Sequence, residues 1–575
     1  MFAVDVSVIA GGVAPTSVPE GTEREPHAAR EATIKATSPA CMAAAYRNAG
    51  YVLVDEVRPR AFCPLRLFSI GGCARRFTAT RLVRIATFAA MNRILLSVVA
   101  LAATATAARA ATRHVATTGN DSAAGSASAP WRTIQHASDL VAPGDTVVIH
   151  AGSYLGFLVT TVATQAQPIV FIADGHVTIE GSQTTDRDAV HIEGAAWVTI
   201  EGLEVIGATR AGISALDCDH ITVRGNKVDS NGRWGVFSSF CEDFTVENNE
   251  VSRSGTEHGI YASNSADHPV IRGNTIWGNG MCGVHMNGDI SYGGDGVISG
   301  AVVENNVITD NGRLGGSGIN GDGVADAVIR NNVLDGNHAS GISLYKEDGG
   351  APSTGNQVIN NTVRMASDAR WAINIQNGSG GNVLRNNVLL HPNVARGAVD
   401  ACSECLTGMI SDRNVVVGRF SIGGTVVDLA GWRTRTGGDA ASFVATDAQL
   451  FTDPAAGDLT LRVGSPAIDA GVAAGAPTTD IAGIARPQGA GIDVGAYESC
   501  DGPCVGGDPG TDPGGEPGGG SGSGGGSGAP GDPSSGDPAD PQSGTGGGCS
   551  ASHSGAGMLV GLALLVVRRR QRIAR

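Results

Sequence analysis

The feature that most constrains this chain is an asparagine that keeps returning at a nearly fixed interval. Aligned on it, the sequence reads Val223-Arg-Gly-Asn226, Val246-Glu-Asn-Asn249, Ile271-Arg-Gly-Asn274, Val303-Glu-Asn-Asn306, Ile329-Arg-Asn-Asn332, Ile359-Asn-Asn361 and Leu384-Arg-Asn-Asn387, with steps of 23, 25, 32, 26, 29 and 26 residues. Self-similarity at such a period marks an array of stacked units. Within each unit, short runs alternate apolar and polar residues between Asn/Gly turns, as in "TVRGNKVDSNGRWGVF". Runs of that length and period are strands, not helices. One coil cannot bury its own apolar face, but coils stacked at about 4.8 Å share a continuous core. The prediction is an all-β parallel solenoid presenting one long solvent-facing sheet. Stacked turn asparagines tolerate left-handed backbone and hydrogen-bond one another, so the Asn column is read as structure and not as a binding site.

Composition agrees. The chain holds 84 Gly in 575 residues, with 17% charged and 42% hydrophobic residues; this is too Gly-rich for a helical protein yet apolar enough for a core. A net charge of −15 argues against nucleic acid, whose phosphates need a basic surface. The protein is expected as a monomer.

Residues 1–90 show no sustained period and are expected to be a non-native or disordered leader, from an over-extended reading frame. From Met91, a basic start, the apolar run Ile94–Ala103 and Ala108-Arg109-Ala110 form a secretory signal (91–110). Residues 111–400 carry the coils, 401–500 further coils and a cap, 501–548 a Gly/Pro/Ser linker, and 549–575 an apolar stretch followed by Arg568-Arg569-Arg570. Export suits disulfides: Cys218 with Cys241, 23 residues apart, and the close pairs Cys402/Cys405 and Cys500/Cys504, whereas Cys282 has no evident partner. No zinc-ligand spacing stands out.

The segment 117–154, with Thr-Ile-Gln at 133–135, a helix over Thr133–Leu140, the turn Pro143-Gly144-Asp145 and a strand from Thr146 to His150, resembles the opening of right-handed parallel β-helix repeat proteins, many of them secreted polysaccharide lyases. The resemblance covers about 112–400 and implies a right-handed parallel β-helix with a helical plug at its open end. "GSPAIDAG" (464–471) and "TTDIAGIARPQGAGIDVGAYE" (478–498) resemble a terminal module of bacterial surface β-helix proteins, read as the C-terminal cap. Cys549, the apolar segment and the Arg cluster resemble myxobacterial-type sorting tails. That implies a protein held at the cell surface, meeting the membrane only through a transient C-terminal anchor.

No Gly-x-Ser-x-Gly, HExxH or phosphate loop is present. Chemistry must therefore come from a face. In the strand after each Asn turn, period two points Val236, Ile260, Val284, Ile319, Ile342 and Ile373 inward. The outward column is then Phe237, Tyr261, His285, Asn320, Ser343 and Asn374, beside a second column of Ser239, Ser263, Asn287, Asp322, Tyr345 and Gln376. A contiguous patch of Tyr261, His285, Asn287, Asp289, Asn320, Asp322 and Tyr345 follows, with the insertion 288–299 as a wall, and His258 and Lys346–Asp348 at its ends.

Such a patch suits a polysaccharide or cell-envelope glycan. In β-elimination or C5 epimerisation of a uronate polymer, a base removes the proton beside a carboxylate that other groups neutralise. His285 is the candidate base and Tyr261 the acid, with Lys346 or Arg370 as alternative bases because related β-helix lyases use Lys or Arg. Asn287, Asn320, Tyr345, His258 and Asn374 would bind substrate, and Asp289 with Asp322 would hold Ca²⁺. Those two aspartates, about 7–8 Å apart as diagonal neighbours, could instead pair for glycoside hydrolysis. The remaining reading is a non-catalytic adhesin.

Overall fold

The computed structural model describes residues 110–181, 187–500, 502 and 504–506. The leader, all but the last residue of the export signal, and the linker and sorting tail beyond 506 lie outside the described residues. The chain forms a parallel β-solenoid of about 11 turns with few helices. One face is a 12-stranded sheet running from Phe157–Val159 to Thr425–Val427; two further rows of strands make up a 22-stranded sheet.

The repeated asparagines explain the turn between those two rows. Asn226, Asn249, Asn274, Asn306, Asn332, Asn361, Asn387 and Asn414 are all buried. Each of the first seven donates its backbone N–H (2.8–3.1 Å) and its side-chain amide (2.9–3.1 Å) to the Oδ1 of the asparagine one coil on. The ladder therefore satisfies buried backbone groups that no strand pairs. The left-handed residue is not the ladder asparagine but the one before it: Gly225, Asn248, Gly273, Asn305, Asn331, Asn360 and Asn386, at φ from 53° to 65°. Two demands thus write the Gly-Asn and Asn-Asn pairs, a positive φ first and a ladder amide second.

The glycine at the start of the middle strands of the 12-stranded sheet has another cause. A Cβ on Gly235, Gly259 or Gly283 would fall 2.7–2.8 Å from the carbonyl oxygen of the glycine one coil on, so the columns close only without side chains there.

Both ends are covered. Helix α1 (Ile134–Leu140, with Thr133 as N-cap) meets the edge of the first strand, where Ser138 Oγ donates to the Leu158 carbonyl (2.6 Å) and Gln135 Oε1 accepts the Leu158 N–H (2.8 Å). At the other end helix α2 (Leu429–Thr436) drives Trp432 into the core, stacked on Phe420 at 4.8 Å. The module at 464–498, expected as the end cap, runs along the side instead. Asn331, Asn360 and Asn386 donate to backbone carbonyls of Thr479, Asp493 and Val472, and Val494 and Ala496 pack with Val388 and Val415. The left-handed turn asparagines thus serve as its anchor points.

Cys402–Cys405 and Cys500–Cys504 are disulfides as expected. Cys218 and Cys241 are stacked in adjacent coils but are free thiols; they hydrogen-bond each other, and Cys218 Sγ also lies 3.0 Å from the Leu216 carbonyl. Cys282 is itself disulfide-bonded.

Candidate functional site

Parallel register delivers the expected columns. Phe237, Tyr261, His285, Asn320, Ser343 and Asn374 are successive cross-strand neighbours, as are Ser239, Ser263, Asn287, Asp322 and Tyr345. Their inward neighbours Val236, Ile260, Val284, Ile319, Ile342 and Ile373 are all fully buried. The expectation that fails is solvent exposure. His285 is 1% exposed, Asn320 0% and Tyr345 3%; Tyr261 is partly exposed. The side chains stack on one another, and loops flank them. Ile290–Tyr292, in the insertion, is a 3-10 turn whose Ile290 N–H bonds the Asp348 carbonyl, and Gly350 N–H bonds the Gly296 carbonyl. The insertion and the Lys346–Gly350 turn are thereby tied together beside the second column.

The centre is a pair of imidazoles. His285 Nδ1 and His258 Nε2 are 3.1 Å apart, and His258 Nδ1 accepts the backbone N–H of Cys282 at 3.2 Å. That backbone donor fixes the direction of the chain. His258 Nδ1 must carry the lone pair, so in the neutral ring Nε2 carries the proton and donates to His285 Nδ1. His285 in turn holds its proton on Nε2. Burial keeps both rings neutral: it lowers His285 to about 3, and burial, then His285 and Arg233, push His258 well below its usual value. His285 Nε2 therefore carries the proton and is not the base that the sequence suggested; the Asn320 amide 3.5 Å away accepts that proton only with its Oδ1, rather than its Nδ2, turned toward the ring, an orientation that also gives a partner to the buried Oδ1 that otherwise has none. Asn320 also contacts Tyr345 Oη at 2.6 Å. Tyr261 packs against both imidazoles, at 5.0 and 4.8 Å between ring centroids. Burial raises its pKa, Asn287 donating to it opposes this, and Asp289, Glu257 and Asp348 add to the rise; the hydroxyl stays protonated.

The other expected residues have different tasks. Asp322 accepts three backbone N–H groups, from Glu347, Asp348 and Gly349, at 2.8–3.0 Å. Asp289 caps the Ile290–Tyr292 turn through Ser291. Each carboxylate is thus committed to a turn. Lys346 Nζ donates to the Gly350 carbonyl at 3.2 Å. Arg370 is exposed and stands in the coil of Asn374, three coils or about 14 Å from His285. The Asn374 Oδ1 takes a hydrogen bond from Gln376, while its buried Nδ2 has no partner. His258, Cys282 and His285 bring nitrogen and sulfur atoms close together, but the Cys282 sulfur is committed to a disulfide, which leaves no thiolate for a metal.

The column is longer than the sequence reading drew it. Counting back one coil at a time reaches Ser214 and His191; counting forward reaches Asp400 and Ser421. Ser214 Oγ donates to Asp188 (2.7 Å) and meets His191 Nδ1 (2.7 Å), while Arg210 clamps Asp188 through two nitrogens. Burial opposes ionisation of Asp188, but Arg210, His191 and Ser214 outweigh it and hold the carboxyl below its usual range. The Ser214 proton is directed to a carboxylate, so this trio is a static ion-pair network and not an activated nucleophile. Burial raises Asp400, with Ser421 and Arg396 opposing. The coil spacing alone would have found these residues.

Residues 143–276, 188–363 and 253–406 match the model of the right-handed beta helix region. The solved structure of pectate lyase Pel9A is 19% identical, covers 68% of this chain and 96% of its own, and superposes with a TM-score of 0.49. The alginate lyase from Paenibacillus sp. str. FPU-7 is 20% identical over 50% of this chain and 97% of its own, with a TM-score of 0.39. The mannuronan C-5 epimerase AlgE6 A-module of Azotobacter vinelandii is 15% identical over 48% and 92%, with a TM-score of 0.33. No curated protein sequence matches the chain. At these identities the likeness is one of fold.

Proposed function

We propose that the protein binds a polysaccharide along the outer face of its 12-stranded sheet, with Tyr261 and Asp400, the partly exposed members of the column, as its points of contact. The observation that carries this reading is the donor direction of the His258–His285 pair, set by the Cys282 backbone N–H. Neutral N–H, O–H and amide groups repeat there at about 4.8 Å per coil, which suits successive sugar hydroxyls. Partly exposed Tyr261 and Asp400 are the residues a chain of sugars would meet first, while the unpartnered Asn374 Nδ2 is buried and is reached only if the ligand displaces what covers it.

A lyase or epimerase on an acidic polysaccharide is the second reading, favoured by Tyr261. Its proton, retained far above neutral pH, could pass to a leaving oxygen, while His285 Nε2–H and Asn287 face the uronate carboxylate. That reading needs a base, and neither His285 nor Tyr261 offers one. The export signal and sorting tail read from the sequence would place either activity at the cell surface.

Affinity electrophoresis of the protein against a panel of acidic and neutral polysaccharides tests both. Retardation by one polymer that weakens at least tenfold in Asn374→Ala and Tyr261→Phe, without new ultraviolet-absorbing unsaturated ends and without epimerised uronate in the recovered polymer, supports binding. Unsaturated ends or epimerised uronate formed by wild type and lost in Tyr261→Phe would replace it with the catalytic reading. No retardation by any polymer would overturn the proposal.

A further inference from the structure

Where the chain turns from the 12-stranded sheet into the 22-stranded sheet, one inward position recurs in consecutive coils. Asp219 pairs with Ala196 on one side and Glu242 on the other, so the residues just before them, Ala195, Cys218 and Cys241, stack in one column. The His220 N–H donates to the Glu242 carbonyl, and one coil on the Asp243 N–H donates to the Asp267 carbonyl in the same way, which carries the column on to Ala266. All four are buried, at 2%, 5%, 0% and 0% exposure. Alanine fills the place on either side, so packing asks only for a small apolar group here. The two thiols stand in neighbouring coils, where their sulfurs meet.

Register fixes the backbone spacing. Paired Cα atoms of stacked coils lie about 4.8 Å apart, and disulfides span about 4.4–6.8 Å between Cα atoms. An S–S bond is therefore within reach of the backbone as it stands. The structure holds the pair as thiols that hydrogen-bond each other, and that bond has a direction. Cys241, whose S–H donates to it, holds the Cys218 thiol below its usual value against the opposing effect of burial. Burial, then Cys218, push Cys241 well above its own. Cys218 is thus the sulfur that gives up a proton, and Cys241 the one that keeps it.

The approach selects the reagent. Cys218 lies between exposed Asp217 and Asp219, and exposed Glu242 follows Cys241. Carboxylates at this turn repel an anionic oxidant such as glutathione disulfide, and a sulfur only 5% exposed admits a small molecule alone. A neutral hydroperoxide meets both conditions.

We propose that Cys218 and Cys241 form a peroxide-reactive pair, in which Cys218 is oxidised first and Cys241 closes the disulfide. The Cys218 thiolate attacks one peroxide oxygen; the O–O bond breaks, and the departing oxygen leaves as water with the Cys218 proton and one from solvent, which the sulfenate regains as Cys218 sulfenic acid. Cys241 sulfur then attacks the Cys218 sulfur, and its proton leaves with the displaced hydroxide as a second water. Two thiols lose two electrons in all, and one peroxide gains them. The spacing of the cysteines suggests a permanent staple; hydrogen-bonded thiols make it a reversible one, closing consecutive coils at a corner away from the His258–His285 pair. It stands or falls independently of the polysaccharide reading.

The test treats the full chain, reduced with dithiothreitol and freed of it, with hydrogen peroxide, followed by non-reducing tryptic peptide mapping. Cleavage after Arg224 and Arg233 separates the two cysteines. The expected product joins their peptides, 2 Da lighter than the two thiol forms together, and dithiothreitol reverses it. Glutathione disulfide at equal concentration should form it at least tenfold more slowly. In Cys241→Ser, Cys218 should stop at the sulfenic acid and take up dimedone; in Cys218→Ser, Cys241 should do so at least tenfold more slowly. Circular dichroism confirms that both variants fold, and peroxide should raise Tm in wild type and in neither variant. Peptides that stay unlinked, or equal dimedone uptake at the two positions, would overturn the proposal and leave the cysteines as small core residues.

Discussion

Two outward columns of this solenoid obey one register and reach opposite ends. On the 22-stranded sheet, Glu201, Arg224, Glu247, Arg272, Glu304 and Arg330 are successive cross-strand neighbours, alternating in sign and bridged at 2.7–2.9 Å in the pairs Arg224–Glu201, Arg272–Glu247 and Arg330–Glu304. On the 12-stranded sheet, the column Tyr261, His285, Asn320, Ser343, Asn374 carries no formal charge. The first column stays partly exposed, and each of its charges has an opposite charge beside it, so long charged side chains cost little there. The second is flanked by loops, and only neutral groups with directed hydrogen bonds survive there without a large desolvation cost. An outward pleat is thus a direction and not a degree of exposure; what lies over the pleat decides the chemistry.

Acidification should separate the columns most strongly. His258 and His285 have folded-state pKa values below their unfolded ones, so their contribution is complete above about pH 6.5 and is lost as pH falls toward their folded values. Between about pH 6.5 and 5 His285 should cost roughly 2 kcal/mol, with His258 adding in the same direction, read by urea unfolding. The double variant His258→Asn/His285→Asn should show a correspondingly shallower pH slope; equal slopes would mean the imidazoles are not held neutral.

The Asn ladder beneath both columns gives the next effect. Asn306→Ala strands the Asn274 N–H and amide and the Ile271 carbonyl and should cost on the order of 3 kcal/mol, seen as a lower Tm. Tyr345→Phe, which removes a buried partner of Asn320, should cost about 1–2 kcal/mol. Arg272→Ala in the charged column should cost under about 1 kcal/mol and lose its effect in high salt. If Arg272→Ala rivals Tyr345→Phe, the contrast between columns fails.

The fold was legible because coil period and strand period are both local. Register, the inward Val/Ile set, the plug helix α1 and the neighbour relations of Tyr261, His285 and Asn320 all follow from counting. Burial of that column was not legible, because what lies beside an outward strand, such as the 288–299 insertion bonded to the 346–350 turn, is set by residues far apart in sequence. Nor was the role of His285: only the Cys282 N–H, aimed at His258 Nδ1, decides which nitrogen is protonated. Asp322 likewise reads as a ligand in sequence and proves to be the acceptor of a backbone turn. The 464–498 module was misplaced because its partners, Asn331, Asn360 and Asn386, were explained as turn residues alone.

The central claim is the proton direction in the imidazole pair, and nitrogen-15 NMR of histidine-labelled protein reads it directly. The account predicts that His258 and His285 are both neutral with the proton on Nε2, and that His285 keeps this form until pH approaches about 3. A His285 carrying its proton on Nδ1, or titrating near an ordinary histidine value, would contradict it and restore His285 as a base.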